Sequence, residues 1–154
     1  MDLTDQSNSI DITLYREFSS QVANVYSRIA KEKLHTPITE GKWTPFQILQ
    51  HITDSEIVYF RRIKRALTEE NPNFLGWHPT EWIEMEASDF EIELNIDIIR
   101  GIRNKIYFLL HKIDTVSWNR HVTHPRYGLM TLEDLILQQI KHESHHLDTV
   151  QNLF

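Results

Sequence analysis

Four stretches of this chain, each about 20 residues long, carry apolar side chains three or four positions apart. That spacing places the apolar side chains on one face of an α-helix, and such a face is buried by packing against other helices. Only four glycines and five prolines occur among 154 residues, and no segment shows a convincing strand pattern. The sequence therefore predicts an all-α fold, a four-helix bundle formed by a single domain over residues 1–154.

The first predicted helix spans residues 10–33 and ends at the linker that contains Pro37 and Gly41. Residues 1–8 are small and polar, and we expect them to be frayed. The apolar stripe of this helix consists of Leu14, Phe18, Val22, Val25 and Ile29.

The second helix has a clear start signal. Thr44 is a good N-cap, Pro45 occupies the first helical position, and Gln47 completes a capping box. The helix is predicted to end before Asn71, because the residue that precedes a proline avoids the helical region. Its apolar stripe is Phe46, Leu49, Ile52, Tyr59, Ile63 and Leu67.

Capping boxes also mark the last two helices, at Ser88 with Glu91 and at Thr131 with Asp134. The apolar positions of the third helix are Phe90, Leu94, Ile98, Ile102, Leu109 and Ile113, and those of the fourth are Leu132, Leu135, Ile136, Ile140 and Val150.

Long connections join the second helix to the third and the third to the fourth, over residues 69–88 and 114–130. Connections of this length in small domains are often functional. The first contains Trp77 and Trp82. We expect a structured crossover in which at least one of these two tryptophans caps the core.

Charge and composition exclude several classes of function. The net charge of −6 disfavours a nucleic-acid-binding protein, which needs clustered Lys and Arg. The densest basic run, residues 61–65, is interpreted as a solvated helix face, with phosphate binding as the alternative. Without cysteine, the chain can form no disulfide, thiolate ligand or cysteine nucleophile.

Two features of the sequence bear on the cellular location of the protein. The acidic start of the chain does not resemble a signal peptide, and no apolar run is long enough to cross a membrane. We therefore expect a cytoplasmic protein that does not bind membranes.

The strongest chemical signal lies in the fourth helix, where His142 and His146 are four residues apart. This spacing places both imidazoles on one helix face, where they can bind the same ion. The segment also matches the His-Glu-x-x-His motif of zinc peptidases, although those enzymes usually combine the motif with a sheet. Inward-facing imidazoles need polar partners, and the alternative to a metal is a pair of hydrogen-bonded core histidines.

His51 can face the same interior from the second helix. Three neutral imidazoles from two helices can bind Zn²⁺ or a similar divalent ion and leave a coordination position open. His145 is the main competing ligand, and we prefer His146 because it shares the apolar stripe with His142. The other histidines are expected at the surface or in loops, and the last two of them can line a pocket: His35, His78, His111, His121 and His124.

Two carboxylates near these histidines are candidate catalytic residues. Asp54 follows His51 by about one turn, and Glu143 follows His142 directly. Carboxylates beside metal ligands commonly orient them, and either one could act as a general base. The alternative is that both are merely solvated.

Residues 41–56 and 142–151 resemble the two metal-ligand helices of the DinB/YfiT-like superfamily. Trp118, the turn at Tyr127 and Gly128, and residues 131–135 are also similar to that pattern. The resemblance extends over most of the chain. It implies a four-helix bundle, frequently a homodimer, with a three-histidine site that usually holds zinc or nickel.

By position, the resemblance implies that the metal ligands are His51, His142 and His146. The family includes S-transferases that use low-molecular-weight thiols such as bacillithiol and mycothiol, and proteins without an established activity. The leading hypothesis is a metal-dependent thiol S-transferase whose partners are a small-molecule thiol and an electrophilic substrate. The alternatives are a metal-dependent hydrolase and a non-catalytic metal- or ligand-binding stress protein.

Overall fold

The computed structural model describes residues 10–86 and 92–153. The expectation for residues 1–8, the apolar position Phe90 and the capping box of Ser88 with Glu91 lie outside the described residues. The described elements follow in chain order: α1 (Ile12–Ser27), α2 (Lys31–Leu34), α3 (Pro45–Thr68), α4 (Pro79–Met85), α5 (Ile92–Lys112), a 3₁₀ helix (Thr115–Asn119), β1 (His121–His124), β2 (Gly128–Thr131) and α6 (Leu132–Gln151).

The four long helices α1, α3, α5 and α6 form the predicted four-helix bundle, so the fold class is confirmed. Helices α5 and α6 each pack against both α1 and α3. Both capping boxes that precede α3 and α6 are formed, with reciprocal bonds between Thr44 and Gln47 and between Thr131 and Asp134. No helix among the described residues is long and apolar enough to cross a bilayer.

Two apolar clusters fill the bundle, one towards each end. A polar layer lies between them, at the level of Glu56 in α3, Arg103 in α5 and Gln139 in α6. On each of these helices, apolar residues of one cluster precede the polar position and residues of the other cluster follow it.

The first helix differs from the prediction in its length and in its buried face. It ends at Ser27, and the short helix α2 follows as a separate element. Leu14 is 58% exposed, whereas the adjacent Tyr15 is buried. Tyr15 takes the inward position because its hydroxyl donates to Gln139 and its ring lies against the guanidinium of Arg103.

The buried face of α5 was also predicted wrongly. Leu94 is 48% exposed, and the other predicted positions that are described lie at the edge of the core. The buried line of α5 instead includes Asn95 and Arg103. A hydrophobic pattern does not count these two polar residues, so it selected the neighbouring face. The buried residues of α5 are Asn95, Ile96, Ile99, Arg103, Ile106 and Leu110.

Both long connections contain regular structure that the sequence pattern did not predict. The first includes α4, and the second includes an antiparallel hairpin in which His124 pairs with Gly128. The two connections are joined by backbone hydrogen bonds, from Phe74 N to Thr123 O and from Thr123 N to Pro72 O, each 2.9 Å. Together they form a wall across one side of the bundle, next to α3.

Candidate metal centre

Three histidine side chains from α3 and α6 converge on one point. His142 Nε2 lies 3.3 Å from His51 Nε2 and 3.2 Å from His146 Nε2. One ligand nitrogen from each of the three residues lies within 4.8 Å of the others. The structure therefore brings together all three predicted metal ligands, which we call the triad.

The spacing of the triad fits a metal ion. Nitrogen ligands at about 2.0–2.1 Å from one tetrahedral zinc ion lie about 3.3 Å from each other. Three neutral imidazoles without a metal cannot all satisfy one another at this distance, because each offers a single N–H and a single lone pair. The donor set and its spacing are therefore those of a divalent-metal site.

The environment keeps the three rings neutral, as metal ligation requires. Burial and, to a smaller extent, the other two imidazoles together lower the pKa of His51 to about 3. Burial also lowers the pKa of His142, and that of His146 to about 4. The lone pairs of all three are therefore available at neutral pH.

Two tryptophans enclose His51. The Trp77 ring stacks on the imidazole at 5.6 Å between centroids, and the Trp43 ring lies 4.9 Å away at a tilt. Trp77 comes from the first long connection and is braced by Trp82 of α4, at 5.1 Å. At least one tryptophan of this connection was expected to cap the core, and in the structure Trp77 covers His51 of the triad. Only 3% of His51 is exposed, while His142 and His146 are half-buried and reachable.

His145 points away from the triad. Its ring is exposed and lies 5.9 Å from that of His146, and it is not among the residues whose ligand atoms converge. His124 lines a pocket, as predicted, whereas His121 is exposed and lines none of the pockets next to the triad.

The two predicted catalytic carboxylates are both buried, so the alternative that they are solvated is wrong. Burial and, to a smaller extent, the nearby Glu86 carboxylate together raise the pKa of Asp54 to about 7. Glu143 turns into the polar layer, where it accepts a 2.5 Å bond from Arg103 Nη2. That ion pair makes Glu143 a brace behind His142, and its role as a base stays a prediction.

Among the described residues, three pockets adjoin the triad, each with at least one of its histidines in the lining. One of them, of about 420 Å³, is lined by Tyr127, Leu137, Gln138, Lys141, His142 and His145. The Arg62 pocket, of about 290 Å³, is lined by residues that include His51, His142, Trp77, Arg62, His124 and Arg126. The Trp43 pocket, of about 520 Å³, is lined by residues that include Ile38, Lys42, Trp43, Ile48, His145 and His146.

Sequence reasoning missed Arg62 as a residue of the site. Its basic run was interpreted as a solvated face, which is wrong for Arg62, since this residue is only 7% exposed and its guanidinium contacts His124. Its position eleven residues after His51, three helical turns along α3, is the signal that could have placed it on the same side of the helix.

Residues 15–150 match the family model described as the DinB superfamily. The chain belongs to the DinB superfamily. A relative from Oceanobacillus iheyensis, which carries the provisional name of metal-dependent hydrolase, is 28% identical over 84% of this chain and 76% of its own length.

Solved structures of other proteins share the DinB fold seen here. YfiT from Bacillus subtilis, provisionally described as a metal-dependent hydrolase with an unusual four-helix bundle topology, has a TM-score of 0.86 and 23% identity and covers 97% of this chain and 90% of its own. The mycothiol-dependent maleylpyruvate isomerase has a TM-score of 0.70 and 16% identity, over 90% of this chain and 58% of its own. At these identities the likeness shows the fold alone.

Proposed function

We propose that this DinB protein is a metal-dependent thiol S-transferase, which joins a low-molecular-weight thiol to an electrophilic substrate. The observation that carries the proposal is that separate pockets adjoin the triad, among them one lined by His51 and His142 and another lined by His146. A transferase must hold two molecules with their reacting atoms adjacent. Hydrolysis needs only one such pocket, because its second reactant is water.

In this proposal His51, His142 and His146 hold a zinc or nickel ion. When bound, a divalent ion supplies Lewis-acid chemistry that lowers the pKa of a thiol. Trp43 and Trp77 cover His51 and keep water from its ring. The chain contains no cysteine, so the sulfur nucleophile comes from the small molecule.

The comparisons add support of a general kind. A solved protein with this fold is named for its dependence on mycothiol, a low-molecular-weight thiol. The use of a low-molecular-weight thiol by another protein with this fold is consistent with the proposed transfer reaction.

Conjugation of a thiol to monochlorobimane tests this proposal. The protein is loaded with zinc or nickel and assayed with bacillithiol, mycothiol, cysteine and glutathione in turn. The absence of cysteine from the chain removes any background reaction of the protein itself. We expect a rate above the uncatalysed background with at least one thiol, lost in His142→Ala and kept in His121→Ala, which changes an exposed histidine outside the pockets next to the triad. No such rate with any thiol and either metal would overturn the proposal.

Metal-dependent hydrolysis is the second candidate, because the provisional names of the relatives specify it. In that case Asp54 or Glu143 would serve as general base. Ester hydrolysis by the metal-loaded protein, abolished in Asp54→Asn or Glu143→Gln with metal content unchanged, would favour hydrolysis over transfer. Retained turnover in both variants would exclude a base role for either residue.

A further inference from the structure

The Arg62 pocket is positively charged at the end away from the triad. Arg62 and Arg126 both line it, and its lining contains no aspartate or glutamate. This is unusual in a chain with 22 acidic and 16 basic residues. The local field therefore favours an anion, although the protein as a whole repels one.

Arg62 is a buried cation without a carboxylate partner. Its Nη2 donates to the Leu75 carbonyl at 3.1 Å, and no carboxylate among the described residues lies within ion-pair distance. Burial lowers the pKa of Arg62, and the Tyr59 hydroxyl opposes this effect, but no carboxylate in the described part of the chain does. The other buried arginine, Arg103, is held by two carboxylates at 2.5 Å. Removing one charge from water without a partner is costly, so Arg62 is suited to receive an anion.

His124 is a second hydrogen-bond donor at the same place. Its Nδ1 accepts from the backbone N–H of Arg126 at 3.0 Å and of Tyr127 at 3.3 Å. Burial and the two neighbouring arginines lower its pKa to about 4, so the ring is neutral at neutral pH. With Nδ1 accepting, the proton is on Nε2.

That proton faces another donor. His124 Nε2 lies 3.1 Å from Arg62 Nη1, and neither of these two groups can accept from the other. Both residues line the pocket. An oxyanion at this point would accept from both and would supply the missing negative charge.

We propose that Arg62 and His124 form an anion-binding subsite, which holds a carboxylate group of a ligand whose other end reaches His51 and His142. Arg126 adds positive charge at the rim of this subsite. The identity of that other end, a thiol or an electrophile, rests on the proposed function. The subsite itself does not, because the pocket and its charges are present whichever reaction occurs.

The ligand must be elongated. His51 and Arg62 are eleven residues apart on α3, which corresponds to about 16 Å between their Cα atoms along the helix axis. Both side chains extend into one pocket, which shortens the gap between their polar ends. A short acid such as acetate could occupy the subsite but could not touch the triad at the same time.

Isothermal titration calorimetry of the zinc-loaded protein with a series of ω-mercapto acids tests the subsite. Each acid, from two to eight carbons, is compared with the ω-mercapto alcohol of equal length. We expect the acid to bind about tenfold more tightly than the alcohol at one intermediate length, as for a hydrogen-bonded charge pair. Equal affinities at every length would overturn the inference.

Variants identify the residue that recognises the carboxylate. Arg62→Met should reduce the preference for the acid to less than about twofold, while Arg61→Gln, an exposed arginine of the same helix, should retain it. If Arg62→Met does not fold, Arg126→Gln replaces it, with an expected loss of about threefold. A preference unchanged in the variant that is measured would contradict the proposal.

Two further arms separate this inference from the proposed function. If mercapto alcohols fail to bind but hexanoate binds in an Arg62-dependent manner, the subsite stands and thiol binding at the triad fails. If the alcohols bind and the acids bind no more tightly than the alcohols, thiol binding at the triad stands and the anion-binding subsite fails.

Discussion

His145 and His146 are neighbours in α6, yet only His146 has a ring nitrogen near that of His142. On a helix the side chain four residues on lies on the same face, and the stripe shared with His142 was enough to prefer His146 from the sequence. The two tryptophans around His51 could not be predicted. They precede α3 or belong to a long connection, and the helical pattern does not determine the path of either segment.

Asp54 makes stability depend on pH. Burial and Glu86 raise its pKa from 3.8 to about 7 in the folded chain. A carboxyl with a raised pKa contributes stability that is present below its unfolded pKa and is lost as the pH rises through the folded value. For wild type, this contribution therefore decreases between about pH 4 and pH 7.

Asp54→Asn should remove that dependence. We expect the stability of the variant, relative to wild type, to increase between about pH 4 and pH 7 and to level off above it. Urea unfolding of both metal-free proteins at several pH values measures this difference. Asp97→Asn, which removes an exposed carboxylate, serves as the matched control. A constant difference for Asp54→Asn would show that its carboxyl is not protonated in the folded chain.

At the scale of elements, the starts of α3 and α6 were predicted to the residue, because a capping box is a local signal. Helix α4 and the hairpin were not predicted, because they lack a comparable local signal. Each strand has only four residues, and β1 is fixed by backbone bonds from Thr123 to Pro72 and Phe74, about fifty residues away. Contacts between two connections leave no periodic pattern in either one. The wall of the Arg62 pocket was therefore outside the reach of sequence reasoning.

The contribution of the N-terminal cap of α3 to the free energy of unfolding should be measurable. Thr44 Oγ1 accepts from Gln47 N at 3.1 Å, and Thr44 N donates in turn to Gln47 Oε1 at 2.9 Å. Thr44→Ala removes the first of these and should cost about 1 kcal/mol of unfolding free energy in urea. Thr68→Ala, at the exposed far end of α3, should cost less than about 0.5 kcal/mol. Equal costs would mean that the cap contributes no more than an ordinary surface residue.

At the scale of the whole molecule, one buried network connects all four long helices. Arg103 of α5 binds Glu56 of α3 and Glu143 of α6, and donates to the Tyr15 carbonyl of α1. Glu143 directly follows a residue of the triad. The network therefore links the packing of the bundle to the position of His142, and the hydrophobic pattern of α5 gave no indication of it.

Arg103→Met should be strongly destabilising, because it leaves two buried carboxylates without their cation. Breaking a buried pair in this way costs about 3–5 kcal/mol of unfolding free energy, measurable by urea unfolding. Arg100→Met breaks only the exposed pair with Asp97 and should change stability by less than about 1 kcal/mol. A cost for Arg103→Met as small as that for Arg100→Met would show that the network does not hold the bundle together.

Metal content and ligand type test the central claim most directly. Elemental analysis of the purified chain, combined with X-ray absorption spectroscopy, should find a single divalent ion per chain bound by three imidazole nitrogens. His51→Ala, His142→Ala and His146→Ala should each lose the ion, while His145→Ala should keep it with the same spectrum. A metal-binding chain that loses its ion in His145→Ala, or keeps it in any of the three triad variants, would contradict this account.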